Sequence, residues 1–399
     1  MDRLWTRSFL SACLGNFLLF FAFYLLIPIF PLYLIDTFNT SKSLVGLVLS
    51  AYTLAALAIR PFSGFLLDLF PRKPQYIIAF LLFVLTFIGY PLVTTINLFL
   101  LFRILHGASF GFVTTAGNSL VVDILPPSRR GEGLGYFGVA NNLAMVVGPM
   151  TSLLMHENQV SYNMIFTFSI ISGLTGLLFA LAIRVNKPFK PSPEQALSLD
   201  RFFLFKGLRA GFSLLLTGIP YGMFMTYLAI YGKDLQINVG LGLFFSLLAV
   251  GLITSRMFSG KMVDKGKLTK AIEYGLMIST IGLILLASLS RLNNISHTLV
   301  YILFFIIPVI LGLGYGFTFP AYNTLFVNLA PNNRRATASS TFMTSWDLGV
   351  GLGLVIGGKF ADSLGGLPLA FFVGSLLTLF SYIYFAKSAG PHFIKNKLR

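Results

Sequence analysis

Twelve apolar runs, separated by short polar clusters, prolines or charges, constrain this chain more than any other feature. A helix needs about 20 mostly apolar residues to cross a hydrocarbon core, because backbone amides find no water there and must bond within the segment. The runs fall near 8–35, 44–68, 75–95, 98–123, 134–155 and 162–185, then 208–232, 240–262, 270–290, 298–327, 337–359 and 366–387. Their residues do not alternate as barrel strands would, so the pattern predicts an all-α membrane protein with twelve transmembrane helices. Composition agrees, since 56% hydrophobic and 11% charged residues give more apolar surface than one soluble core can bury. Several runs exceed the minimum span, which predicts tilt or ends that project into water.

The positive charges orient the runs. Of the 29 lysines and arginines, 22 fall in loops on one side, and only Lys42, Lys233, Arg291 and Lys359 fall on the other. Short cytoplasmic loops retain such charges, so both termini are expected in the cytoplasm of a cell with this protein in its inner membrane. Topology accounts for the net charge of +16 without a nucleic-acid partner, and the basic face favours anionic lipid headgroups. The single cysteine, Cys13, permits neither an intramolecular disulfide nor a cysteine metal site. His106, His156, His297 and His392 lack metal spacing, and the sequence holds neither a phosphate loop nor a Ser, His and Asp set in one plane. No cofactor and no catalytic residue are expected. The first run is too long for a signal-peptide core and is read as a retained helix.

The chain is written twice. RPFSGFLLD at 60–68 returns as RMFSGKMVD at 256–264, GASFGF at 107–112 answers GLGYGF at 312–317, and P-x-x-R-R at 126–130 answers P-x-x-R-R at 331–335. The charged, proline-rich stretch 186–207 lies midway and reads as a linker between a half at 1–185 and a half at 208–390, followed by a basic tail at 391–399. Two six-helix repeats in the same orientation are a pattern of secondary transporters, whose substrate site lies between the halves near mid-membrane.

At these residues the chain resembles the major facilitator superfamily. G-F-L-L-D-L-F-P-R-K at 64–73 is similar to the signature Gly-x-x-x-Asp-x-x-Gly-Arg-Lys/Arg between helices 2 and 3, with Pro71 replacing the second glycine. A shorter second copy runs from Gly260 through Asp264 to Lys267. Arg103-x-x-x-Gly107 resembles the helix 4 motif of proton-coupled members, and Gly135, Ala144, Gly148, Pro149 and Ser152 occupy positions of a helix 5 pattern found in drug antiporters. Small residues there also suit any tightly packed helix pair.

The resemblance implies a conformational latch. Gly64 and Asp68 share a helical face, so another helix can approach closely where the carboxylate reaches the interface. Asp68 would cap the start of helix 11 and Arg72, beside Lys73, would pair with Asp123; Gly260 and Asp264 would be a weaker echo, with Asn328 in the place of Asp123. Such a cluster would hold the cytoplasmic side shut and break when the cavity opens inward. The plainer alternative is that these charges anchor helix ends at headgroup depth.

Ionisable residues at mid-depth are costly in lipid and mark function. Asp347 follows Trp346 in the eleventh run, with Asn142 as its counterpart in the first half, and desolvation would bring its carboxyl into the range where it loads and releases a proton. Arg103 has three open roles: tuning such an acid, binding an anionic substrate group, or holding helix 4. His106, one turn on, is either a titrating group or a hydrogen-bonded structural histidine. In the family, helices 1, 4, 7 and 10 line the cavity; here they offer Asn16, Phe20, Tyr24, Thr114, Asn118, Tyr221, Met225, Tyr315, Phe319, Tyr322 and Asn323, joined by Asn141 and Trp346. This aromatic and amide wall suits an amphipathic or neutral ligand, and also reads as ordinary bundle packing. The sequence therefore favours a monomeric transporter working by alternating access, with proton-coupled efflux of a small molecule ahead of proton-coupled uptake. A membrane receptor or scaffold that moves nothing is the reading from another class.

Overall fold

A computed structural model describes residues 4–126, 129–185, 203–237, 240–331 and 335–398, and each apolar run lies on helix. The α-helices are α1 (Arg7–Leu26), α2 (Ile29–Phe38), α3 (Lys42–Leu69), α4 (Arg72–Gly89), α5 (Ile96–Ile124), α6 (Arg130–Glu157) and α7 (Tyr162–Ala182). They continue as α8 (Leu208–Asp234), α9 (Leu241–Asp264), α10 (Leu268–Asn293), α11 (His297–Leu329), α12 (Arg335–Ala361), α13 (Gly366–Tyr384) and α14 (Gly390–Asn396). The first run departs from expectation, being two helices rather than one. Pro28 has no amide to bond the preceding turn, and the chain turns at Ile27 and Pro28 before α2 begins. The last run departs too. A π-helical turn, Phe385–Ala389, carries α13 into α14, so most of the basic tail is helical, with Phe393 buried and Leu398 donating its amide to the Asn328 carbonyl at 2.9 Å.

Among the described residues, ten helical spans are long and apolar enough to cross a membrane, and Leu241–Ser255 is a shorter apolar stretch. The α4 helix shows why lipid is the required solvent. Its inner face buries Tyr76, Phe80, Phe83, Val84 and Phe87, while Ile78, Leu82 and Leu85 on the outer face are 59%, 52% and 47% exposed. A helix apolar on both faces is stable only where the outer one also avoids water. The chain is a multi-pass membrane protein.

The residues form two compact units, 1–39 with 51–195 and 40–50 with 196–399. The unbroken α3 thus begins in the second unit and ends in the first. Linker residues 186–202 lie outside the described residues; beyond them the buried Leu204 amide donates to Thr341 Oγ1 at 2.8 Å.

Glycines set the helix spacing inside each unit. A Cβ at Gly107 would stand 2.1 Å from the Tyr52 carbonyl oxygen, and one at Gly111 would stand 2.7 Å from that of Ala56, so α5 rests backbone-close on α3. The repeat reproduces this in the second unit, where a Cβ at Gly312 would stand 2.1 Å from the Leu248 carbonyl oxygen and α11 rests on α9. The GASFGF and GLGYGF copies are therefore a packing device used once per unit. Gly148 of the helix 5 pattern brings α6 against α1, a Cβ there meeting the Leu25 amide nitrogen at 2.9 Å.

Candidate functional site

In the first unit the site is a charged group caged by rings. Arg103, in the second turn of α5, is 5% exposed, and its guanidinium carbon lies 4.6 Å from the Tyr52 ring centre and 5.0 Å from that of Phe30. Two aromatic faces supply part of the stabilisation that a buried cation loses with its water, on the order of 1–2 kcal/mol for each desolvated contact. His106 is wholly buried, with Nδ1 2.8 Å from the Tyr90 hydroxyl. That hydroxyl also accepts a hydrogen bond from Arg103. His106 Nε2 has no hydrogen-bond partner among the described residues and sits among Phe23, Phe83 and Phe87, whose rings lie 5.8, 5.1 and 4.9 Å from the imidazole. Arg103, Tyr90 and His106 form one buried polar cluster.

At the end of α5 in the same unit, Arg72 Nη1 lies 2.7 Å from Asp123 Oδ1, and Lys73 Nζ donates to the Leu181 carbonyl at 3.1 Å. Gly64 and Asp68 lie on α3, and Gly260 and Asp264 on α9, but their side chains fall outside the described residues.

In the second unit the site is aromatic. The Trp346 ring centre lies 4.8 Å from that of Tyr221, 5.1 Å from Phe319 and 6.3 Å from Tyr315, and Tyr221 and Tyr315 are 5.0 Å apart, edge to face. These offsets are those that ring quadrupoles prefer. Tyr315 is 2% exposed, and its hydroxyl has no hydrogen-bond partner among the described residues. Burying a hydroxyl in that condition costs about 1–3 kcal/mol. Asp347 follows Trp346, midway along the 27-residue α12, and is half-buried.

Four of the residues expected on a cavity wall thus gather in one cluster. In the first unit Phe20 stacks on Tyr24 at 6.0 Å and meets Phe110 edge-on at 5.6 Å. Others have different work. Tyr322 is wholly buried in the packed core, its hydroxyl committed to Ser213 Oγ at 2.7 Å, and Met225 is buried as well, so these two fill the unit rather than line a wall. Asn16 Nδ2 donates to the Phe137 carbonyl at 3.1 Å, tying α1 to α6, and Thr114 Oγ1 bonds back to the Phe110 carbonyl at 2.8 Å. Asn118 and Asn323 are exposed; Asn141 and Asn142 are half-buried on α6. Phe30, Tyr52 and Tyr90 were missed, because nothing in the sequence distinguishes three aromatics that converge on Arg103 from the other rings of a chain that is 15% aromatic.

A multi-pass helical membrane protein with an internal duplication has the organisation of secondary transporters. The sequence profile of the Major Facilitator Superfamily matches residues 12–354, and again 295–397. The chain belongs to that family, and it is a transporter. It is 25% identical over 372 residues to the quinolone resistance protein NorA of Staphylococcus aureus (strain MRSA252), covering 90% of this chain and 91% of NorA. It is 21% identical over 363 residues to the staphylopine export protein of Staphylococcus aureus (strain Mu50 / ATCC 700699), covering 88% of this chain and 89% of that one. Among solved structures, the nucleoside transporter NupG superimposes with a TM-score of 0.73 at 17% identity, covering 96% of this chain and 98% of NupG.

Proposed function

We propose that the protein exports an amphipathic, aromatic small molecule in exchange for protons by alternating access. It would act as a monomer in a bacterial cytoplasmic membrane with both termini inside. The observation that carries this reading is the cluster of Tyr221, Tyr315, Phe319 and Trp346 beside Asp347. The rings offer flat apolar faces, the Tyr315 hydroxyl offers a hydrogen bond, and a carboxylate one residue from Trp346 offers a group that is charged or neutral according to its proton. The similarity to a staphylopine export protein and to a quinolone resistance protein supports the direction of transport.

In this account Asp347 releases its proton to the cytoplasm, substrate binds against the rings, and reprotonation from outside accompanies release. Arg103 holds α5 in place through its aromatic cage and the Tyr90 to His106 chain, so His106 is a positioning residue. Gly64, Asp68, Arg72, Lys73 and Asp123 form the cytoplasmic latch, with Gly260 and Asp264 as its weaker echo. The test is growth of a pump-deficient bacterial strain on a quinolone and on a panel of other amphipathic aromatic compounds. Expression should raise resistance severalfold to at least one, and Trp346→Ala should abolish that gain at unchanged protein level. Unaltered susceptibility to the whole panel would refute the export reading.

A further inference from the structure

The spacing Gly-x-x-x-Asp occurs at three places in the chain: 64–68, 260–264 and, unremarked by any repeat, 358–362. The third copy ends α12, and in the structure it grips the first turn of α3. Asp362 Oδ1 accepts the Lys42 amide at 3.0 Å and Oδ2 accepts the Ser43 amide at 2.6 Å, so both carboxylate oxygens face a helix N-terminus, where the peptide dipoles leave partial positive charge. Gly358, one turn earlier on the same face, lets the backbones touch: a Cβ there would stand 2.4 Å from the Lys42 carbonyl oxygen. Gly46 does the same from the other side, a Cβ there meeting the Leu354 carbonyl oxygen at 2.2 Å.

Helix α8 completes the arrangement. Tyr227 donates its hydroxyl to the Leu354 carbonyl at 2.7 Å and lies 3.4 Å from the Lys42 carbonyl, while Lys42 Nζ is 3.3 Å from Asp234 Oδ2. Ser43 Oγ adds a bond to the Gly358 carbonyl at 3.3 Å. The start of α3 also has a local cap, because Ser41 Oγ accepts the Leu44 amide at 3.2 Å. Asp362 is therefore a second cap, supplied by another helix of the same chain. Water can replace it at the exposed helix end, so it can be released without unwinding α3. These contacts explain why residues 40–50 cluster with the second unit while the remainder of the same helix belongs to the first.

We propose that Gly358 and Asp362 are the positioning residues of an outer closure: they hold the start of α3 on α12 and α8, and their release opens the transporter to the outside. This rests on the alternating-access reading and on cytoplasmic termini. The Gly-x-x-x-Asp spacing of α12 is thereby given a helix to hold, the start of α3.

The test uses the full chain in a Cys13→Ser background, reconstituted in lipid nanodiscs, with spin labels at Leu47→Cys and Leu364→Cys, both exposed positions. Asp362→Ala should raise the long-distance population severalfold, Asp362→Asn should raise it less, and Gly358→Val should match Asp362→Ala. Unchanged distributions in Asp362→Ala and Gly358→Val would overturn the proposal. An Asp234→Asn variant, which spares α12, should give a smaller shift in the same direction. In intact cells a membrane-impermeant maleimide should label the Leu364→Cys variant; labelling only in inside-out vesicles would overturn the outer placement. These readouts need no substrate, so failure to find a transported compound leaves them separately decidable.

Discussion

Tyr315 and Tyr90 look alike in the sequence and differ in what they are bonded to. The Tyr315 hydroxyl has no partner among the described residues, so Tyr315→Phe removes an unsatisfied group and should leave the melting temperature unchanged or slightly raised. If the proposed export reading holds, the same variant should lose most of any thermal shift that an added quinolone gives the parent protein; a large fall in stability without ligand would contradict the assignment. Tyr90→Phe takes a partner from both Arg103 and His106 and should destabilise by about 1–3 kcal/mol, read as a lower melting temperature. Arg103, His106 and Asp347 were legible because ionisable groups are conspicuous in apolar runs. The cage around Arg103 was not, since its rings come from α2, α3 and the turn after α4, and only the fold brings them together.

Asp362 carries a pH signature of its own. Burial raises its carboxyl, but the hydrogen bonds from Ser43, the Lys42 amide and the Lys42 charge outweigh this and leave it below its ordinary 3.8. A depressed value means that the closed arrangement favours the carboxylate: its contribution is complete above the ordinary value and is lost as pH falls through the depressed one. The groups around it are Lys42, with Asp234 beyond it, Ser43 and Tyr227, and no histidine is among them. The spin-label distances should therefore coincide at about pH 7.5 and about pH 5.5; a marked opening at the lower value would show that another group controls the closure.

At the scale of elements, helix existence was readable and helix interruption less so. Apolar periodicity cannot show that Pro28 divides the first run while Pro149, Pro220, Pro308 and Pro320 are accommodated inside long helices. Glycine pairs were visible as a repeat, but their meaning as backbone contacts required the neighbouring helix. Gly107→Val would force α5 off the Tyr52 carbonyl and should lower expression and melting temperature sharply, whereas Gly135→Ala, with open space around it, should be neutral or slightly stabilising. Equal effects of the two substitutions would refute the packing account. The third Gly-x-x-x-Asp was present in the sequence all along and went unread, because it belongs to neither register of the duplication.

For the whole molecule, duplication and hydropathy were sufficient to reach the family, and they say nothing of what is carried. In the proposed reading that depends on four rings, which meet only in the folded second unit, and on Asp347, next to Trp346 in the chain. The central claim, exchange of an aromatic substrate for protons, is tested most directly in proteoliposomes with an imposed pH gradient and a fluorescent quinolone outside. With the lumen acid, the protein should concentrate the quinolone beyond protein-free liposomes, a protonophore should abolish the excess, and Asp347→Asn should show none. Excess accumulation driven by an alkaline lumen, or unaltered in Asp347→Asn, would contradict it.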